Sequence, residues 1–306
     1  MIHITDIAIF YTCSKQTIGT VLACCFFMDD ELQKKLMGMV DQMPPFPKSV
    51  HRIMTLSADI NCAPKDLVQV IEHDPVITMK LLKLVNSAFF SLAKSISSVR
   101  HALVYLGLNT VKNLALSIAT VESLPRKKTP VFNTKHFLMH SLTTASVAQH
   151  VAKTFDIESD ATDIFVAGLL HDFGKAVLAQ FATDMFAQSV QEAEQNQEPL
   201  HIAELRVIGA NHAEVGGLLA EKWELPTALV ACIREHHMGI SSPLGDCVFV
   251  ANQISKHENF GQSGSPVIES FPGYILERFQ MDMEGMLDAL GDLSSESEKA
   301  HAFIHM

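Results

Sequence analysis

The sequence of 306 residues predicts an all-α protein. Apolar side chains recur every three or four residues along most of the chain, which is the spacing of one helix face. Alternating strand patterns are scarce, and Pro, Gly, Ser and Asn residues separate the periodic segments as helix breaks and caps do. Apolar residues make up 48% of the chain, enough to bury a substantial core.

In the first half, the Pro-rich residues 44–47 are predicted to end the first helix. Pro75 lies in the first turn of a later predicted helix, where its missing amide hydrogen is not needed. Ser98 and Asn109 are predicted as N-caps, and Gly107 as the end of the helix between them. The predicted apolar faces lie within residues 32–40, 50–54, 67–71, 77–85, 102–106 and 111–120.

The second half is predicted to begin after a polar, proline-containing linker, residues 123–134. Gly, Ser and Pro residues predict a loop over residues 261–273. The predicted helices are 137–155, 161–171, 175–181, 185–196, 200–209, 214–223, 226–236, 247–257, 281–290 and 295–305. The predicted divisions are an extension (1–27), an N-terminal helical part (28–122), the linker (123–134), a second helical part (135–260) and a C-terminal part (261–306).

Composition restricts the partners and the compartment. A formal charge of −11 argues against general affinity for DNA, RNA or anionic membranes. Six cysteines without a CxxC pair predict buried thiols in a reducing compartment, so we expect a cytoplasmic protein. The apolar run 18–27 is too short to span a bilayer. We interpret residues 1–27 as an extension upstream of a start at Met28, or as a packed N-terminal element, rather than as a signal peptide.

One motif predicts a cation site. His171 and Asp172 follow an apolar helical run and precede Gly174 and Lys175. A neutral ring nitrogen beside a hard carboxylate oxygen suits a divalent metal, whereas a buried His–Asp pair without metal is the alternative. Asp172 and Lys175 are the candidate catalytic residues. If the bound metal acts on a phosphate ester, Lys175 would meet the charge of the phosphate. The alternative for Lys175 is a surface lysine in the first turn of the next helix.

Further histidines stand at predicted helix positions around this motif. They offer, with His171 and Asp172, five imidazoles and one carboxylate, enough for one cation or for two cations bridged by Asp172. Fe, Mn, Zn and Ni all fit such donors. The candidate metal ligands are His140, His171, Asp172, His212, His236 and His237.

These motifs resemble two related families. The second half is similar to the HD superfamily of metal-dependent phosphohydrolases, through His140-Ser141, residues 169–175, His212 with Gly216-Gly217, and His236-His237. The first half is similar to the HDOD domain. That likeness is carried by residues 43–47, 71–75, 82–90 and 96–107, and the whole match runs from about residue 34 to residue 256.

The resemblance implies an N-terminal helical bundle packed on an HD-like bundle, and a regulatory role in bacterial signalling. It also implies that Asn252 occupies the position of the superfamily's last Asp ligand, where an uncharged amide would bind metal more weakly. Residues 238–243 lack the Gly-Tyr-Pro of the HD-GYP subfamily, which hydrolyses cyclic-di-GMP. Asn86, in the family's Asn-Ser-Ala signature, is predicted to bond backbone between helices, with direct contact to a partner as the alternative.

Three hypotheses follow. The first is a regulatory module with a metal-capable, degenerate site that acts through a partner protein. The second is a metal-dependent phosphohydrolase whose ligand is a nucleotide or related phosphate ester. The third is a helical scaffold without metal, in which the histidines serve only packing and hydrogen bonding.

Overall fold

Helices form the regular structure of the described chain, as the sequence predicts. The structure is a computed structural model that describes residues 30–58, 63–87, 95–124, 132–265 and 267–304. No β-strand occurs within these residues, so the all-α prediction is confirmed. In chain order the helices are α1 (Asp30–Val40), α2 (Lys48–Ala58), α3 (Pro64–Glu72), α4 (Pro75–Val85), α5 (Val99–Leu106), α6 (Leu108–Ser123), α7 (Thr134–Thr154), α8 (Ala161–Leu170), α9 (Phe173–Phe181), α10 (Thr183–Asn196), α11 (Leu200–Val207), α12 (His212–Lys222), α13 (Thr227–Glu235), α14 (Pro243–His257), α15 (Gly273–Phe279), α16 (Met283–Leu290) and α17 (Ser294–Ile304).

Several predictions fall outside the described residues. These are the extension 1–27, residues 125–131 of the predicted linker, and Cys13, Cys24, Cys25 and Cys62. The two remaining cysteines, Cys232 and Cys247, are free and buried. Burial raises the pKa of each thiol to about 12, so both remain protonated and serve as small apolar core residues.

The prediction that Asn109 caps a helix is wrong. Helix α6 already begins at Leu108, and its N-cap is Gly107, with no side-chain hydrogen bond at that position. Gly107 has a φ of +80°, which lets one residue end α5 and start α6. Asn109 therefore lies inside the first turn. Ser98 does cap α5, because its side chain accepts a hydrogen bond from the amide of His101.

Helix α15 was not predicted from the sequence. It has seven residues and begins at Gly273, the last residue of the predicted loop. Its periodic signal consists of Ile275 and Phe279, both buried, which lie four residues apart on one face. Two apolar positions are too few for a helical period to be recognised in sequence.

Two segments of the first half dock against the second half. Phe46 stacks on Trp223 with ring centroids 4.4 Å apart, and the Trp223 indole N–H donates to the carbonyl of Pro44 at 3.0 Å. Lys222 Nζ donates to the carbonyl of Val40 at 2.9 Å. The Pro-rich break after α1 is thus fixed to the end of α12, and the buried apolar residues of both halves form one cluster.

The stretch Ala161–Phe181 is apolar and long enough to cross a membrane by composition. In the fold, however, 89% of the most apolar 18 residues of this stretch are buried. His171 and Asp172 also interrupt the stretch, because they separate α8 from α9. Core helices meet the same compositional test. The stretch is therefore the centre of the helical core, and it carries the predicted site in its middle.

Asn86 has the predicted structural role. Its side-chain nitrogen donates to the carbonyls of Leu82 and Ile96, at 2.7 and 2.8 Å, and its side-chain oxygen accepts from the amide of Ile96 at 2.7 Å. The amide therefore joins the end of α4 to the segment before α5.

Candidate metal centre

Asp172 lies at the centre of a buried group of histidines, and its side chain is 0% exposed. Its Oδ2 atom is 3.6 Å from His140 Nε2 and 3.3 Å from His171 Nε2. Its Oδ1 atom is 3.2 Å from His212 Nε2 and 3.8 Å from His236 Nε2. The rings come from α7, the end of α8, the start of α12 and the end of α13. The fold therefore brings four of the candidate imidazoles to one carboxylate.

Hydrogen bonds to the backbone orient two of these rings. His171 Nδ1 donates to the carbonyl of Gly168 at 2.8 Å, and His236 Nδ1 donates to the carbonyl of Ile233 at 2.7 Å. Because a carbonyl only accepts, each Nδ1 carries a hydrogen. The Nε2 atoms face Asp172, so Nε2 is the nitrogen that each ring offers to a metal.

Glu204, on α11, is a residue of the site that sequence reasoning missed. It is fully buried, and its Oε2 atom lies 2.5 Å from His212 Nδ1 and accepts from the His212 amide at 2.8 Å. A carboxylate behind a ligand histidine fixes the ring and raises its basicity. The sequence signal was only an acidic residue beside Ala203 on the buried face of α11, and nothing in it points to His212.

His237 extends the histidine group beyond Asp172. Its Nε2 atom is 3.0 Å from His212 Nε2, and its ring centroid is 4.1 Å from that of His236. The donor atoms of His212, His236 and His237 lie within 4.8 Å of one another, as do those of His140, His171 and Asp172. All six candidate ligands of the sequence motif thus fall into two adjoining groups.

Lys175 is buried, so the alternative of a surface lysine is wrong. Its Nζ atom donates to Asp172 Oδ2 and to the carbonyl of Ser263, both at 2.7 Å. Burial raises the pKa of Asp172, but the charges of His171 and Lys175 outweigh burial and hold that pKa well below 3.8. Asp172 is therefore an anion at neutral pH, and the Lys175 amine is engaged within the protein.

Asn252 lies on α14, which packs against α7 and α8. Its side chain is buried, and its Oδ1 atom has no hydrogen-bond partner. A buried amide oxygen without a partner is a free donor for a cation, which is the role that the resemblance implies for this position.

Burial keeps most of the rings neutral. It lowers the pKa of His140, His236 and His237 well below 6.5. Burial also lowers the pKa of His212, but the charge of Glu204 and further hydrogen bonds outweigh it, and the net pKa is raised. Three neutral imidazoles and an ionised carboxylate thus meet in one place, and neutral imidazole is the form that binds metal.

The residues present fit a divalent cation. Buried atoms without a hydrogen-bond partner include Nε2 of His140, His171 and His236, and Oδ1 of Asp172 and Asn252. Each such atom costs about 1–3 kcal/mol when it stays unsatisfied, so a bound cation would offset this cost. Imidazole nitrogens with a carboxylate suit Fe, Mn, Zn or Ni, as one ion or as a pair.

Acid is expected to destabilise the metal-free protein from about pH 6.5 downward. Burial lowers the pKa of His140, His201, His236 and His237, that of His201 to about 3. Below pH 6.5 the unfolded chain protonates these rings and the folded chain does not, so the stability they give is lost as the pH falls toward the folded pKa values. The raised pKa of His212 stabilises the folded chain as the pH falls, but four histidines with lowered pKa values have the opposite effect.

The measurement is the urea midpoint of EDTA-treated protein at about pH 7.5 and about pH 5.5, where we expect the lower value at the lower pH. His201→Phe keeps an aromatic ring and should reduce the difference, whereas His257→Gln, at an exposed position, should not. Equal midpoints at the two pH values would contradict the expectation.

Comparison with known proteins identifies one family model. The HDOD domain model matches residues 43–238, more than half of the chain. An uncharacterised protein from Treponema pallidum (strain Nichols) is 26% identical over 265 residues, which cover 84% of this chain and 50% of the relative. The chain thus spans about half the length of that curated relative.

Solved structures share the fold. An HDOD domain protein of unknown function from Geobacter sulfurreducens is 28% identical with a TM-score of 0.73, and the match covers 89% of this chain and 96% of that chain. A protein from Marinobacter aquaeolei VT8, provisionally named a signal transduction protein, is 21% identical with a TM-score of 0.75, covering 90% of this chain and 66% of that chain. A protein from Shewanella amazonensis SB2B, provisionally named a phosphohydrolase, is 21% identical with a TM-score of 0.67, and the match covers 88% of this chain and 98% of that chain. At 21% identity, the last two show a common fold alone.

Proposed function

Because the chain belongs to the HDOD domain family, we propose that it is a bacterial regulatory protein that holds one or two divalent cations around Asp172 and acts through a partner protein. The observation that carries this proposal is the convergence of buried, unpartnered ring nitrogens on one ionised carboxylate. We propose a cytoplasmic location, consistent with the free thiols of Cys232 and Cys247. The negative net charge favours a protein partner over nucleic acid or a membrane.

Three features favour binding over turnover. The four rings around Asp172 are 0–7% exposed, so a phosphate ester reaches them only if covering residues move. The amine of Lys175 is held by Asp172 and Ser263, and it would have to leave both to meet a phosphate. Asn252 is uncharged, so it would hold a cation less firmly than a carboxylate does.

A metal-dependent phosphohydrolase that acts on a nucleotide or related ester is the second candidate. The retention of five imidazoles together with Asp172 favours it, because a module that only contacts partners needs no such set. A bound cation of this class activates a water molecule and stabilises charge on a phosphate. In this candidate, Asp172 and Lys175 would be catalytic residues, and the scaffold without metal would remain a third outcome.

Elemental analysis of the full chain, purified without a histidine tag, separates these candidates. The same preparation is assayed with a general phosphodiester and a panel of nucleotides in the presence of Mn²⁺ or Fe²⁺. Bound metal without turnover supports the regulatory proposal, whereas turnover that Asp172→Ala abolishes supports the phosphohydrolase. A protein that binds no metal under any loading condition would leave only the scaffold.

Glu204→Gln is expected to weaken metal binding without removing a ligand. The amide cannot hold the His212 ring as the carboxylate does, and loss of such an orienting partner costs about 10- to 100-fold in affinity. The dissociation constant for Mn²⁺, measured by titration calorimetry, checks this. Glu194→Gln, on the exposed face of α10, is the matched control. Equal affinities for the two variants would show that Glu204 does not act on the centre.

Asn252→Asp is expected to tighten metal binding, because a carboxylate adds charge to the donor set. The same Mn²⁺ titration measures the gain. Asn259→Asp introduces an equal charge at an exposed position and should leave the affinity unchanged. If Asn252→Asp also leaves it unchanged, then Asn252 is not a ligand.

A further inference from the structure

A third group of donor atoms adjoins the two groups around Asp172. His201 from α11, His237 and Glu269 offer ligand atoms that all lie within 4.8 Å of one another. The His201 and His237 rings stack with centroids 4.0 Å apart and planes at 16°, and His237 Nδ1 is 3.8 Å from Glu269 Oε1. His201 and Glu269 are absent from the ligand set that the sequence motif predicts.

Both histidines carry an unused nitrogen in this group. The Nδ1 atoms of His201 and His237 are buried and have no hydrogen-bond partner. His237 presents its other nitrogen, Nε2, to His212 at 3.0 Å. One ring therefore faces the Asp172 centre through Nε2 and the group with Glu269 through Nδ1.

Glu269 is positioned for a cation and is accessible from solvent. Its backbone amide donates to Gln253 Oε1 at 2.8 Å, which fixes the segment to α14, and its side chain is 22% exposed. The nearest charge is Lys256, whose Nζ atom is 3.5 Å from Glu269 Oε1. That ammonium competes for the carboxylate, so a cation here would bind more weakly than one beside Asp172.

We infer that His201, His237 and Glu269 form an additional divalent-cation position at the solvent-facing edge of the Asp172 centre. This inference rests on the proposed function, because His237 serves both positions. Two imidazoles and one carboxylate suit Mn, Fe, Zn or Ni, and they leave coordination positions open to solvent or to a ligand anion. The outer position gives the buried centre a contact with the surface that the centre itself lacks.

The test compares metal stoichiometry in the untagged full chain after EDTA treatment and dialysis against Mn²⁺. His201→Phe keeps the ring stack and removes the donors, and Glu269→Gln keeps the shape and removes the charge. Each is expected to bind one equivalent fewer than wild type, whereas His257→Gln binds as many as wild type. Asp172→Asn is expected to retain the outer equivalent. Lys256→Met, which removes the competing ammonium, should tighten that equivalent.

The outcomes separate the two proposals. If His201→Phe and Glu269→Gln bind as much metal as wild type, the outer position is overturned while the Asp172 centre stands. If those variants lose an equivalent but Asp172→Asn loses none, the Asp172 centre fails and the outer position stands. A wild-type chain that takes up no Mn²⁺ overturns both.

Discussion

Asp172→Asn is expected to abolish metal binding at the histidine centre and to destabilise the fold. Asp172 places one oxygen near His140 and His171 and the other near His212 and His236, so its carboxylate lies between the two pairs of rings. The substitution also leaves the buried ammonium of Lys175 without its anion. Removing one partner of a buried pair costs about 3–5 kcal/mol in the free energy of unfolding.

Elemental analysis and urea unfolding measure the two effects, and a double variant separates them. Asp172→Asn combined with Lys175→Met removes both buried charges, so much of the lost stability should return while the metal of the histidine centre stays absent. Asp288→Asn, exposed on α16, is the control for both measurements. If Asp172→Asn retains the metal content of wild type, the centre does not depend on this carboxylate and the proposed function fails.

Most of the fold could be predicted because its signals are local. Periodic apolar positions identify long helices such as α7, and caps such as Ser98, whose side chain accepts from the amide of His101, mark their starts. The wrong cap at Asn109 shows the limit. Asn109 has the residue type of a cap, but the backbone conformation of Gly107 begins the helix earlier, and that conformation is not encoded in a propensity.

The candidate site divides in the same way. His171 and Asp172 could be found because they are adjacent, and the other ring donors because they stand at predicted helix positions. Glu204 and the His201–Glu269 group could not, since their contacts join distant segments through space. The burial of Lys175 depends on the Ser263 carbonyl, which belongs to a predicted loop. The sequence therefore identifies the metal-ligating side chains more readily than the residues that orient those side chains or hydrogen-bond to them.

Gly174→Ala is expected to be the most destabilising single-methyl change in the site. A Cβ atom at Gly174 would lie 1.9 Å from the His212 carbonyl oxygen and 2.7 Å from the Gly216 amide nitrogen. These are backbone atoms, so α9 and α12 would have to separate. Overpacking of this kind costs about 3 kcal/mol or more in the free energy of unfolding. Because the contact is with His212 itself, the separation would also draw its ring away from Asp172 and weaken metal binding.

Gly38→Ala is the matched control, since Gly38 is exposed within α1 and a Cβ atom there meets nothing within 4 Å. In a helix interior the same change is expected to stabilise the protein by about 0.5–1 kcal/mol. The two variants should therefore shift the urea midpoint in opposite directions from wild type, with loss of bound metal in Gly174→Ala alone. A Gly174→Ala protein with wild-type midpoint and metal content would mean that α9 and α12 do not approach as closely as this packing requires. The position of His212 beside Asp172 depends on that approach.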